Sequence, residues 1–378
     1  MTSARAYFNQ HTQRWQTIVE LGRDEAGKRK QIFRTVPKER NTKAEAKRVG
    51  RLLVNELEAG TYAEPTDLTV AEYLEGWLAD VVRHQVASRT HDRYTGIVHV
   101  HLIPRLGAVK LCALRPDQVQ RCYAQMLAAG LSASSLHKTH ALLHGALRHA
   151  LRMRLIARNP CAELMLPKVR RPEIKALTDV EIGAMFAAAK DSRVSVPLLV
   201  LLSLGVRRGE LLALQWADID LEARTVSVRR TLEESSAGVH LKEPKTVLSA
   251  RTIGLPSTTV EALRAQHAAQ QRARLAAGKD FNQLGLVFPG RDGGPWRPSA
   301  FASNCRIVFK TAGLTCRLHD LRHTHASELL KAGVRPKVAQ ERLGHANVGI
   351  TLDTYSHVAP HMQEAAAERI AGLVFEER

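Results

Sequence analysis

Apolar residues change their spacing along this chain of 378 residues, and each change marks a different kind of folded unit. Trp15, Thr17, Val19 and Leu21 alternate, a polar turn with Gly27 follows, and residues 29–35 return, which reads as a β-hairpin. Thr42 then caps a helix in which Ala46, Val49, Leu53 and Leu57 recur at helical spacing. From residue 68 to 156 the pattern is helical throughout, carried by Val70, Leu74, Trp77 and Leu78 and again by Leu136, Leu142, Leu143 and Leu147. Pro160, Pro167 and Pro172, set among Lys168, Arg170 and Arg171, break the periodicity over residues 159–177 and mark a linker. Thr178 and Glu181 then form a capping-box pair that opens a further unit.

The fold expected is multidomain and mainly α. Residues 1–62 form a small β-hairpin or sheet with one helix, 63–158 an all-α bundle, 159–177 the linker, and 178–378 a mixed α+β domain with a small three-stranded sheet. In that last domain residues 225–230 and 251–255 read as strands, with 238–241 as the third between them. At about 100 to 200 residues per domain, the length agrees with two or three folded units.

Charge narrows the partners. Lys and Arg number 55 against 37 Asp and Glu, a formal net charge of +18, which favours a polyanion, most often nucleic acid. Lys28 and Lys30 in the hairpin, and Arg89, Arg93, Lys138 and Arg148 in the helical unit, suit phosphate contacts that position DNA. A solvated basic surface is the alternative for each of them. The longest apolar run, residues 194–206, is short of the roughly 18 to 20 a membrane span needs, and residues 1–15 lack the apolar core of a signal peptide. The five cysteines show no close pairing, so neither a disulfide framework nor a zinc cluster is expected. No membrane partner is expected, and the location expected is cytoplasmic.

Chemistry concentrates in residues 178–378. Residues 194–204 read as a buried helix ended by Gly205, with Arg207 and Glu210 at the start of the next helix, where amides and a guanidinium together attract phosphate. Lys245 falls in the turn before the last strand. His319 and Arg322, three apart on a helix closed by Gly333, share one face, pairing a proton-moving imidazole with a cation. A metal site built from His319, His323 and His325 lacks adjacent carboxylate or thiolate ligands at zinc spacing, and HExxH is absent, so no metal is expected. His345 follows Leu343-Gly344, and Tyr355 stands in a polar stretch rather than an apolar stripe. A phenol with a pKa of about 10 attacks only with help from cations and imidazoles nearby.

Arg207, Lys245, His319, Arg322, His345 and Tyr355 stand in the order and local contexts of the tyrosine recombinase (phage integrase) family, which this chain resembles through RRGELLAL, HDLRHTHASELL and LGHANVGITLDTYSH. The helical unit resembles that family's core-binding domain, and the hairpin unit resembles the arm-binding domain of integrases from temperate phages and conjugative elements. The resemblance implies that Tyr355 is the nucleophile and forms a 3′-phosphotyrosyl bond. It implies further that Arg207 and Arg322 stabilise the phosphate, Lys245 protonates the leaving 5′-oxygen, His319 moves a proton, His345 binds the phosphate and Glu210 orients Arg207.

It also implies double-stranded DNA at attachment sites as partner, four protomers on two DNA segments, accessory DNA-bending proteins in some cases, a bacterial cytoplasm with the nucleoid, and no cofactor. A final helix over residues 360–377 would pack on its own or a neighbouring protomer. Many relatives have Thr before the glycine of the first motif, where this chain has Leu204. Two other readings stand beside this one: a type IB topoisomerase, which relaxes DNA without joining partners, and a DNA-binding regulator with a vestigial site.

Overall fold

The computed structural model describes residues 3–23, 27, 29–59, 62, 66–169, 176–243, 250–278, 280–344 and 371. Lys28, Lys245, His345, Tyr355 and the helix expected over 360–377 (save Ala371) lie outside them. The chain divides into two compact units, Met1–Arg170 and Arg171–Arg378. The architecture is the multidomain, mainly α one expected, with small antiparallel sheets.

The first unit opens with β1 (Ser3–Asn9), β2 (Arg14–Arg23) and β3 (Arg29–Thr35), antiparallel in that order. Beyond the expected hairpin there is thus a further strand. On β1 the residues paired with buried Thr17 and Val19 are only Ala6 and Ala4. α1 (Lys43–Glu58) lies close against this face at Ala4: a Cβ on its Gly50 would come within 2.5 Å of Thr17 Oγ1 and 3.0 Å of Ala4 Cβ. Thr42 caps α1 by accepting from the Glu45 amide at 3.2 Å.

The remainder of this unit is a helical bundle. It comprises α2 (Val70–Trp77), α3 (Arg83–Gln85), α4 (Ser88–Ile97), α5 (Ile103–Leu106), α6 (Pro116–Ala128) and α7 (Ala133–Arg152). Wide π-helical turns at Leu78–Val82 and Val98–Leu102 join α2 to α3 and α4 to α5. Leu74, Leu102, Met126, Leu136, Leu143 and Leu147 fill its core. The two buried tyrosines keep partners for their hydroxyls, Tyr73 donating to the Ala146 carbonyl at 2.6 Å and Tyr123 lying 3.1 Å from His140 Nδ1. Past α7, Cys161 is buried in the same core and the Pro167 carbonyl meets His137 Nε2 at 2.8 Å, so the proline-rich stretch follows the bundle this far.

In the second unit Thr178 and Glu181 form the expected reciprocal cap of α8 (Asp179–Ala189). Next comes α9 (Ser195–Leu204), whose Leu198, Val200, Leu201 and Leu204 are almost wholly inaccessible. Leu204, the residue that departs from the family pattern, therefore packs in the core. Each such side chain contributes roughly 1.5–3 kcal/mol by leaving water. α10 (Arg208–Leu212) follows, then β4 (Ile219–Asp220), β5 (Thr225–Val228), β6 (Thr231–Ser235), β7 (Gly238–Lys242) and β8 (Arg251–Gly254). Among the described residues α11 (Ser257–Ala277), α12 (Pro298–Thr311), α13 (Asp320–Lys331) and α14 (Pro336–Leu343) follow.

One strand assignment is corrected. The three-stranded sheet has the order β4-β5-β8, with Ile219 opposite Val226 and Val226 opposite Ile253. Residues 238–242 are not in it; they pair with β6 as a separate hairpin, Ser235 opposite Gly238. A short local turn closes that hairpin, and local closure costs less chain entropy than pairing with β5 or β8.

Gly205 ends α9 at φ 63°, and a Cβ there would lie 2.5 Å from His325 Cδ2 and 2.8 Å from Leu343 Cδ2. Gly205→Ala should therefore destabilise by at least the roughly 1–3 kcal/mol of a side chain held in a left-handed conformation. Thermal or urea unfolding of the purified variant checks this, and an unchanged midpoint would contradict it.

Candidate active site

The first motif is built around Glu210. Arg207 caps α10, and both its backbone amide (2.9 Å to Oε2) and its Nη1 (2.7 Å to Oε1) donate to the Glu210 carboxylate. On the carboxylate's other side Arg251 Nη2 donates to Oε2 at 2.9 Å. Burial alone would raise the Glu210 carboxyl, but the hydrogen bond and charge of Arg251, joined by those of Arg207, outweigh it and hold the group below the ordinary range. α10 has five residues, and the amide of its cap residue Arg207 is the one that Glu210 accepts. The guanidinium of Arg207 remains partly open, its side chain 41% exposed.

The second feature is the carboxyl end of α14, where a helix leaves its last carbonyls without helical partners. Here three consecutive ones are taken by arginines. Arg251 Nε donates to the Arg342 carbonyl at 2.7 Å, Arg322 Nη2 to Leu343 at 2.6 Å and Arg207 Nη2 to Gly344 at 2.9 Å. The negative end of the helix dipole favours these cations. Arg322 also donates through Nη1 to the Gly205 carbonyl at 2.7 Å, so it joins the end of α9 to the end of α14. It is 3% exposed. Burial first, then the charge of Arg207, partly offset by Glu210, lower it to about 9, which leaves it a cation at neutral pH.

His319 heads α13 and shares with Arg322 a cavity of about 260 Å³, lined also by Leu201, Val206, Arg208 and Leu318. The residue is exposed, and its ring lies perpendicular to that of His323, with centroids 4.9 Å apart. Desolvation, His323 and the Arg322 charge push it down to about 4, so it is neutral at pH 7 and can accept a proton. His325 is elsewhere: buried against Gly205, it takes a hydrogen bond on Nε2 from Arg342 Nε at 3.3 Å, and burial lowers it to about 4.

The structure thus brings Arg207, Glu210, His319 and Arg322 together. Of the DNA-contact candidates, Lys30 on β3, Arg89 and Arg93 on α4, and Lys138 and Arg148 on α7 are all exposed, and Arg93 stacks over the Tyr94 ring at 5.4 Å. Sequence reasoning missed Arg251. A charged residue opening a strand whose Ile253 is core was the available signal.

Comparison with known proteins agrees with this architecture. Residues 175–362 match the model of the phage integrase family, and residues 69–127 that of the phage integrase N-terminal SAM-like domain. A tyrosine recombinase XerC-like protein of Caldanaerobacter subterraneus is 29% identical over 395 residues, covering 99% of this chain and 100% of the relative. An integrase of Streptomyces ambofaciens is 30% identical over 380 residues, covering 95% and 94%. Among solved structures, the Tn1549 transposon integrase in complex with a circular intermediate DNA superposes with a TM-score of 0.69 at 21% identity, over 80% of this chain and 99% of that one. A lambda integrase dimer bound to a COC′ core site gives 0.59 at 18%, over 76% and 95%. The family match and these relatives define a tyrosine recombinase. The chain belongs to the phage integrase family, whose activity is the site-specific recombination of mobile elements.

Proposed function

We propose that this recombinase cuts and rejoins double-stranded DNA at attachment sites through Tyr355. The observation that carries the reading is the meeting of Arg207 and Arg322, more than a hundred residues apart in sequence, at the helix end that leads in sequence to His345 and Tyr355, with His319 sharing a cavity with Arg322. Two cations beside a neutral imidazole suit a phosphodiester whose charge grows as it is attacked.

In this mechanism the Tyr355 oxygen attacks phosphorus and passes its proton to His319. Arg207 and Arg322 neutralise the non-bridging oxygens, and His345 hydrogen-bonds one of them. The P–O5′ bond breaks as Lys245 protonates the departing oxygen. The 3′-phosphotyrosyl bond conserves the energy of the broken link, and a 5′-hydroxyl from a partner strand reverses the step. Glu210 holds Arg207 in place. Residues 178–378 are the catalytic domain and 159–177 the linker. Residues 1–62 and 63–158 supply basic surfaces to the duplex, through Lys28, Lys30, Arg89, Arg93, Lys138 and Arg148. Strand exchange proceeds in a tetramer on two DNA segments, with accessory bending proteins at some sites. The reaction takes place on DNA in a bacterial cytoplasm; among the described residues no helix is long and apolar enough to cross a membrane.

The test uses two duplexes that carry the junction sequences flanking the integrated element, on separate molecules. Exchange of their flanks is the expected result. Relaxation of a supercoiled plasmid without exchange would favour the topoisomerase reading, and binding without a covalent adduct the regulator.

A further inference from the structure

Three cations ring Glu210 and the end of α14, but one of them is placed differently. The Arg251 side chain is 7% exposed, against 41% for Arg207. Unlike the equally enclosed Arg322, it is not in the wall of the cavity that His319 lines. All the same, it bonds to two of the parts that must keep register. Nη2 donates to Glu210 Oε2 at 2.9 Å and Nε to the Arg342 carbonyl at 2.7 Å. The fit against α14 is close: a Cβ on Gly344 would fall 2.9 Å from Arg251 Nη1 and 3.2 Å from its Cζ. One rigid guanidinium on β8 therefore fixes the carboxylate that orients Arg207 and the helix end from which the chain runs on to His345 and Tyr355.

We propose that Arg251 is a positioning residue for DNA cleavage, locking Glu210, and through it Arg207, to the carboxyl end of α14. The proposal rests on the mechanism given above. The forked guanidinium matters as well as the charge. An ammonium in its place is a single point donor on a flexible stem and cannot reproduce the two directed bonds together.

The test reads covalent adduct formation by the full-length protein on a nicked duplex carrying the flanking junction sequence, across pH, beside the affinity for that duplex and the unfolding midpoint. The charged groups facing Glu210 are Arg207 from its own turn, Arg251 from β8 and Arg322 from α13. Burial raises the Glu210 carboxyl and Arg251 is the leading influence that opposes it. In Arg251→Gln, Glu210 therefore takes up a proton at higher pH and slackens its hold on Arg207.

The expected result is an adduct rate lower by about 10- to 100-fold, as for misplaced supporting groups generally, with affinity unchanged. An acid limb of the rate profile should also appear at higher pH than in the wild type. That limb should be absent from the double variant Arg251→Gln/Glu210→Gln, which has no carboxylate to titrate. Arg251→Lys should be intermediate in rate with no displaced limb, and it decides the matter by its rate if the glutamine variant does not fold. Folded Arg251 variants that cleave at the wild-type rate, or a slowing equal at every pH in both single and double variants, would overturn the proposal. If the wild type itself forms no adduct, the chemistry assigned to Tyr355 fails too, whereas an active wild type with indifferent Arg251 variants sinks the positioning role alone.

Discussion

Tyr355→Phe is expected to abolish covalent capture of DNA while leaving affinity intact. The substitution removes one oxygen and keeps the ring, so packing changes little. The oxygen it removes is the only atom in the mechanism able to form the bond to phosphorus. No hydroxyl of solvent is equivalent, because a water-derived product would be a hydrolysed end rather than an adduct. Loss of a nucleophile from a preorganised site lowers rates by on the order of 10⁴ or more. DNA affinity rests instead on basic side chains spread over the surface, through release of counterions from the duplex. A denaturing gel for the adduct and a mobility shift for affinity, on the same suicide duplex, separate the two effects. An adduct undiminished in Tyr355→Phe would place the nucleophile elsewhere.

Arg322→Ala has the next largest expected effect, and it should act twice. Removing a donor aimed at developing charge typically costs about 10² to 10³ in rate. Arg322 is also structural: its two amino groups satisfy the carbonyls of Gly205 and Leu343 in a buried setting. Leaving each without a donor costs about 1–3 kcal/mol, so the unfolding midpoint should fall along with the rate. Arg207→Ala supplies the contrast. Its guanidinium is far more exposed and bonds one carbonyl, that of Gly344. The rate should drop comparably, with a smaller loss of stability. Equal midpoints for Arg322→Ala and wild type would show that the buried bonds of Arg322 contribute nothing to the fold.

Local signals carried most of what was legible in the sequence. The caps at Thr42 and Thr178 and the helix stops at Gly205 and Gly333 depend on residues within one turn, and the structure has them where spacing put them. The hairpin of β2 and β3 was likewise read from alternation. β1 was not, because the positions it pairs with buried Thr17 and Val19 are alanines, which give no apolar alternation, and the approach of α1 to Ala4 is invisible in a run of seven residues. The partner of β7 was misjudged because alternation identifies a strand without naming its neighbour.

In the site, Arg207, His319 and Arg322 were legible as residue types in familiar order, but the convergence of Arg207 and Arg322 with Arg251 on three consecutive carbonyls at the end of α14 was not. Arg251 stayed hidden for the same reason. Whether a cation on a strand is buried depends on its partner, here Glu210, 41 positions away.

The claim at the centre is that the phenol of Tyr355 carries the broken DNA strand. Protease digestion of the trapped adduct, followed by mass spectrometry of the DNA-linked peptide, measures this directly. The expected species is a peptide containing Tyr355 bearing a 3′-phosphonucleotide, with a free 5′-hydroxyl on the released strand. A 5′-linked nucleotide, or a nucleotide on a peptide that lacks Tyr355, would contradict the mechanism.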